Sequence, residues 1–290
     1  MSTISPVGAV NAALALTTDR TPGTARTPSA LGVTPGRVLR SEWTKFRSLR
    51  STVWTLLSAF VLMVGVGALF SAVTANQFPA SSPQEKAAFL PIGTSLNGVL
   101  FAQLAIGVLG VLVMTGEYGT GMIRASMTVV PRRLPVLWAK LTVFAASVLS
   151  VSVVASFGAF FAGQALLNRH GLGVSITAPG AVRQVVGAAL YLTVAGMIGL
   201  ALGALLRTTA AGIATFAGVF FVIPPLMQLL PASVGDHVTK YLPSNAGAVL
   251  YGDNGGLTNA LSPWTGFALL CAYAVLVIGP AAWRLRRVDV

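Results

Sequence analysis

Charge is scarce in this sequence. Only 9% of its 290 residues are Asp, Glu, Lys or Arg, where a soluble domain carries about 25%. With 54% hydrophobic residues and a mean hydropathy of +0.78, the chain has too little polar side chain to cover a fold in water. That excludes an ordinary soluble domain and points to a bilayer. Acidic residues are the rarest charges, seven against 19 basic, for a net charge of +12. On a soluble chain such a balance would raise nucleic acid as a partner. Here the basic residues sit in short segments beside apolar runs, and no basic stripe is interleaved with aromatics, so no nucleic-acid partner is expected. Cysteine is single, Cys271, which excludes an intrachain disulfide and cysteine-based metal spacing.

Catalytic patterns are absent too. The sequence has no H-E-x-x-H, no G-x-S-x-G and no G-x-x-x-x-G-K-[ST]. Its two histidines, His170 and His237, fall in loops between apolar runs, where they read as loop residues rather than ligands. No run carries the paired carboxylates that proton relay or ion coupling needs. The reading is therefore of a chain that is not an enzyme and binds no cofactor or metal. Any work it does on a substrate must draw energy from another chain or from a gradient.

What remains is oil with punctuation. Residues 1–34 are rich in Ser, Thr, Pro and Ala and read as a disordered cytoplasmic tail. Segment 35–50 is different. At about 100° per residue, Val38, Leu39, Trp43, Phe46 and Leu49 share one arc, and Arg37, Arg40, Lys45 and Arg47 lie opposite. This is a basic amphipathic helix suited to the headgroup plane. Glu42 breaks the pattern by pointing into the apolar arc, so it needs a basic partner, with Arg124, Arg132 and Arg133 as candidates.

Six apolar runs follow, at 52–73, 93–115, 136–166, 182–206, 209–230 and 263–283. Each is near the ~20 residues that cross a bilayer. The fold class is thus an all-α, six-span membrane protein occupying 51–290. A tight hairpin at Arg207-Thr208 joins the fourth and fifth runs, and Pro224-Pro225 is expected to kink or end the fifth. Segment 231–262 holds two short apolar pieces, 234–242 and 246–251, broken by Pro243, which read as re-entrant or surface helices. If the N-terminus is inside, only Lys86, Arg169, Arg183 and Lys240 of the 19 basic residues fall outside. That bias predicts a multi-pass plasma-membrane protein with both termini cytoplasmic.

Within this frame 116–133 stands out. Glu117, Thr120, Gly121, Met122, Ile123, Arg124, Met127, Pro131, Arg132 and Arg133 bring a carboxylate, three arginines and turn residues together. Thr120 can cap a helix starting at Gly121, with Glu117 just ahead, where negative charge suits the helix dipole. Pro131 ends it. Met122, Ile123 and Met127 are left as apolar knobs for a soluble partner's groove; a plain basic connector is the alternative. Inside the runs, Asn97, Gln103, Ser156, Thr193 and Thr215 are polar groups that either bond between helices or line a substrate path. Gly196, Gly199 and Gly203 form a stripe that allows close helix packing.

Three stretches carry a family resemblance: Arg40-Ser41-Glu42-Trp43-Thr44-Lys45 ahead of the first run, Glu117 through Arg133 with Lys140 beyond it, and Tyr241-Leu242-Pro243-Ser244-Asn245-Ala246-Gly247 before the last run. From Arg37 onward the chain resembles the permease subunit of an ATP-binding cassette (ABC) exporter of the type-2 class, in its actinobacterial branch, departing from it at Gly119 and Met122. The resemblance implies a dimer of two six-span permease subunits with two separate ATPase subunits that hold ATP and Mg, and export of a small amphipathic or hydrophobic compound. It makes 35–50, with Glu42, Trp43, Lys45 and Phe46, the interfacial connecting helix, and Glu117 to Arg133 the coupling loop to the ATPase. Two other classes fit the composition: a membrane-anchored docking or regulatory protein without transport, and an ion-coupled secondary transporter.

Overall fold

The computed structural model describes residues 35–119, 133–229, 231, 237–252 and 260–287. The tail 1–34 lies outside the described residues, as do Thr120, Gly121, Met122, Ile123, Arg124, Met127, Pro131, Arg132 and the side chain of Arg133. Among the described residues the chain is helical, with no strand. In order, the helices are α1 (Pro35–Ser48), α2 (Arg50–Gln77), α3 (Pro83–Ala87), α4 (Pro91–Leu96), α5 (Val99–Gly119), α6 (Arg133–Asn168), α7 (Ala181–Leu206), α8 (Thr209–Ala217), α9 (Ile223–Met227), α10 (Pro243–Ala248) and α11 (Pro263–Arg287).

Six helical segments are long and apolar enough to cross a membrane: Arg50–Ala80, Pro91–Gly119, Leu134–Asn168, Ala181–Leu206, Thr209–Met227 and Pro263–Arg286. They coincide with the six runs expected from the sequence. Backbone polar groups in hydrocarbon must be satisfied within the segment, so long apolar runs resolve as helices whatever their neighbours. α7 is the hub, with 78% of its apolar window buried against 22% for α2 and α11.

Small residues let α7 take that place. A Cβ on Gly199 would lie 2.4 Å from the Gly107 carbonyl oxygen of α5, and one on Gly203 would lie 2.8 Å from the Val111 carbonyl oxygen. A Cβ on Gly110 of α5 would in turn lie 2.3 Å from the Gly196 carbonyl oxygen. Bare backbones therefore touch where side chains would hold the helices apart. Beside this seam the Tyr191 hydroxyl of α7 donates to Gln103 Oε1 of α5.

Prolines act as the backbone rules require, with one refinement. α8 does not run straight into Pro224-Pro225. Residues Gly218–Val222 widen into a π turn, and the Ile223 N–H reaches the Gly218 carbonyl five residues back. Proline cannot donate, and its ring crowds the carbonyl four residues earlier, so the wider turn accommodates it. Pro243 stands at the break expected between the two short apolar pieces. It opens α10 in the first helical turn, after extended Leu242, where its missing N–H costs nothing. Of the two alternatives expected for this segment, re-entrant or surface, α10 does not fit a surface helix: Ser244, Ala246, Gly247 and Ala248 are buried. Gly247 presses on the Tyr191 ring, and Gly266 of α11 meets the Ala246 carbonyl.

Candidate functional site

α1 turns one stripe inward. Val38, Glu42 and Phe46, spaced four apart, are buried, while Leu39, Trp43 and Leu49 stay exposed. The Phe46 ring meets Phe144 of α6 edge-on at 6.2 Å. α1 stops where Leu49 becomes extended, at φ −80° and ψ 111°, and the Ser48 hydroxyl bonds back to the Lys45 carbonyl. This packing carries the Glu42 carboxylate into the protein.

There it meets a lysine from a distant part of the chain. Lys140 Nζ, two turns into α6, lies 2.7 Å from Glu42 Oε2 and 2.8 Å from Glu117 Oε1. Lys45 Nζ closes the set, 2.9 Å from Glu42 Oε1 and 3.6 Å from Glu117 Oε1. The Glu42 and Lys140 side chains are 5% and 7% exposed. Among the described residues two cations and two anions alternate, and each buried charge has two opposite neighbours. That arrangement is what offsets the desolvation of a buried charge.

Three helices are fastened at this point: α1 by Glu42 and Lys45, α5 by Glu117, and α6 by Lys140. Arg124, Arg132 and Arg133 were candidates for the Glu42 partner; the first two, and the side chain of the third, lie outside the described residues, and the partners seen are Lys140 and Lys45. Glu117 needs a second correction. It belongs to the last turn of α5, which runs on to Gly119, past the end expected at 115; the helix start expected at Gly121 lies outside the described residues. A carboxylate is disfavoured at a helix C-terminus, and the two lysines compensate it. A cavity of about 360 Å³ opens beside the cluster, walled by Phe46, Leu49, Leu112, Val113 and Val143.

The next residue of α5 engages a different partner. The Tyr118 ring lies under the Arg207 guanidinium, at 5.4 Å. Thr209, at the start of α8, donates to Thr115, 2.9 Å away, and Thr115 bonds back to the Val111 carbonyl. Arg284, near the end of α11, donates to the Leu205 carbonyl at the end of α7. The last turn of α5 is thus held by α1 and α6 through Glu117 and by the α7–α8 turn through Thr115 and Tyr118. That turn leads directly into 120–132.

The remaining sequence candidates are scattered. Gln103, Ser156 and Thr193 are buried. Gln103 accepts from Tyr191, Ser156 bonds the Ser152 carbonyl, and Thr193 bonds the Ala189 carbonyl. Asn97 and Thr215 are exposed on the chain. None of the five lines the cavity beside the charge cluster. Among the described residues no group of His, Cys, Asp and Glu could hold a metal ion. Lys140, Tyr118 and Arg207 were not picked out as site residues from sequence. The available signal was a lysine about one turn inside the apolar run 136–166, which is costly without a partner.

The cluster has a pH signature. Burial pushes the Glu42 carboxyl up, but Lys140 and Lys45 outweigh it and hold it below its ordinary 4.5. Burial pulls Lys45 down, but Glu42 and Glu117 outweigh it and hold the amine above its ordinary 10.5. The lowered carboxyl adds stability that is present above 4.5 and lost as pH falls through its folded value. The raised amine adds stability that is present below 10.5 and lost as pH rises through its folded value. The thermal midpoint in detergent is therefore expected to be flat between these limits and to fall beyond each. Glu42→Gln should flatten the acid limb; an acid limb as steep in the variant would assign it to other groups.

A scan against models of known protein families finds no match, and no curated protein matches the chain.

Proposed function

We propose that this chain is the permease subunit of an ABC exporter. It would pair with a second permease subunit and with separate ATPase subunits that hold ATP and Mg, in the plasma membrane with both termini cytoplasmic. The observation that carries the reading is the double fastening of the last turn of α5. In a chain with no nucleotide motif, the root of 120–132 is tied to α1, α6 and the α7–α8 turn at once. A push delivered to that segment by a partner moves these helices together, which is what rigid-body alternating access requires. The lopsided distribution of Lys and Arg supports placing this end of the bundle in the cytoplasm. The exposed Leu39 and Trp43 of α1 suit an interfacial helix. The substrate class, a small amphipathic or hydrophobic compound, rests on the family resemblance.

Ile123→Asp tests the reading, because it places a charge among the apolar knobs of the coupling loop. The variant should insert and fold normally, since no membrane span changes. ATP hydrolysis that co-purifies with the tagged chain from its native membranes should drop at least tenfold, as when an interface anchor worth about 2 kcal/mol is lost, and export should drop with it. Unchanged co-purification and export would leave the loop a plain connector and overturn the proposal.

A further inference from the structure

The end of α1, the first turn of α2, the last turns of α5 and the flank of α6 leave a gap beside the charge cluster. The cavity there, about 360 Å³, falls in the ~300–1,000 Å³ range of small-molecule sites, which are mostly apolar with a few polar groups. Its lining fits that description. Phe46, Leu49, Leu112, Val113 and Val143 supply apolar walls, and Ser48, Ser51 and Gly116 complete the rim. The rim is accessible: Ser48, Leu49, Ser51, Leu112 and Gly116 are all exposed. Glycine at position 116 keeps the mouth wide. A Cβ there would meet nothing within 4 Å, so a larger side chain would project into open space at the rim.

We propose that this cavity holds the acyl chain of an anionic phospholipid, with the phosphate at the edge formed by Ser48 and Ser51. Depth, path and charge each select that occupant. Ser51 lies in the first turn of a helical segment long and apolar enough to cross a membrane, which begins at Arg50. Exposed Trp54, one turn on, is the residue type that collects at membrane interfaces. A headgroup beside Ser51 therefore stands at headgroup depth. On α5, Leu104, Val108 and Leu112 are spaced four apart, the first and last exposed and the middle one half-buried. This outward apolar stripe leads to the cavity wall at Leu112, so an acyl chain entering there stays against apolar surface. The charge at the mouth is positive. The lysines and carboxylates of the cluster engage one another. Arg47 and Arg50, which bracket Ser48 and Leu49 in sequence, are exposed, and among the described residues neither lies within ion-pair distance of a carboxylate. Guanidinium groups suit phosphate oxygens, and a surplus of them favours an anionic over a zwitterionic headgroup. The site requires only the gap and helices that cross a membrane, and does not depend on transport.

The test uses the purified full chain in detergent, titrated with phosphatidylglycerol or phosphatidylcholine and read by native mass spectrometry. The wild-type chain should hold one phosphatidylglycerol more tightly than any phosphatidylcholine. Gly116→Leu fills the mouth, and glycine is a poor helix former, so the thermal midpoint should hold or rise. Phosphatidylglycerol affinity should fall at least about tenfold, the effect of leaving about two methylenes unburied. Arg47→Gln with Arg50→Gln leaves the cavity intact and should cut the preference for phosphatidylglycerol over phosphatidylcholine at least about fivefold, the effect of one cation at an anionic surface. Should Gly116→Leu fail to fold, Leu112→Trp, which narrows the same mouth from an exposed position, decides in its place. Unchanged phosphatidylglycerol retention in the folded blocking variant would put the lipid elsewhere and overturn the proposal. Equal retention of the two lipids by the wild-type chain, or a preference that survives loss of both arginines, would overturn it too, by making the cavity a site without headgroup selection at this edge.

Discussion

Lys140→Met should be among the most damaging single substitutions in this chain. Lys140 Nζ is the centre of the buried cluster, touching Glu42 and Glu117 at 2.7 and 2.8 Å. Removing it leaves two largely buried carboxylates to share Lys45, whose side chain is 27% exposed. Breaking a buried pair by deleting one partner costs about 3–5 kcal/mol, because the other charge stays buried and uncompensated. The loss should appear as a lower midpoint in detergent unfolding. Glu42→Leu added to Lys140→Met should recover part of it, since the surplus negative charge is then gone and only Lys45 faces Glu117. A cost below about 0.5 kcal/mol for Lys140→Met, the range of surface substitutions, would show the cluster to be solvated rather than structural. If the proposed coupling is right, the variant should also lose export before it loses insertion, because α1, α5 and α6 would no longer move together.

Gly199→Leu should be comparably severe for a different reason. Its Cβ would lie 2.4 Å from the Gly107 carbonyl oxygen, which belongs to backbone and cannot swing aside. α5 and α7 would have to separate, breaking the seam at Gly110 and Gly203 and the Tyr191–Gln103 bond beside it. Overpacking a core costs about 1–3 kcal/mol and more when backbone must shift, so even Gly199→Ala should fall near the top of that range. Gly65, in the middle of α2, supplies the control. A Cβ there meets nothing within 4 Å, so Gly65→Ala should hold stability or raise it by about 0.4–1 kcal/mol. Equal midpoints for Gly199→Ala and Gly65→Ala would refute the close seam.

The cluster also explains why this end of the molecule was only half readable. Glu42 was recognisable as an anomaly because amphipathic period is a local property, and a carboxylate in an apolar arc demands a partner. Its partner was not recognisable, because Lys140 is 98 residues away in sequence. The arginines were candidates because the expected topology sets them across the same inner face as Glu42. That Glu117 ends α5 was not legible for a related reason. Thr120, Gly121 and Pro131 advertise a helix start and stop, and Glu117 reads as the residue ahead of that start. Whether α5 continues through it depends on the lysines that compensate its charge at the helix end, and these come from α1 and α6.

Local chemistry alone therefore determined the six helices long and apolar enough to cross a membrane, the amphipathic α1, the tight turn at Arg207-Thr208 and the disturbance at Pro224-Pro225. Each follows from the hydropathy of one run or the backbone limits of one residue. Tertiary structure decided the rest. It chose α7 as the buried hub, where glycines of α5 and α7 let the two backbones touch along one seam. It made Lys140 the centre of the charge cluster and set Tyr118 beneath Arg207, because helix ends far apart in sequence meet at one end of the bundle. Polarity along the chain says which groups need partners; the packing of helices says which partners arrive.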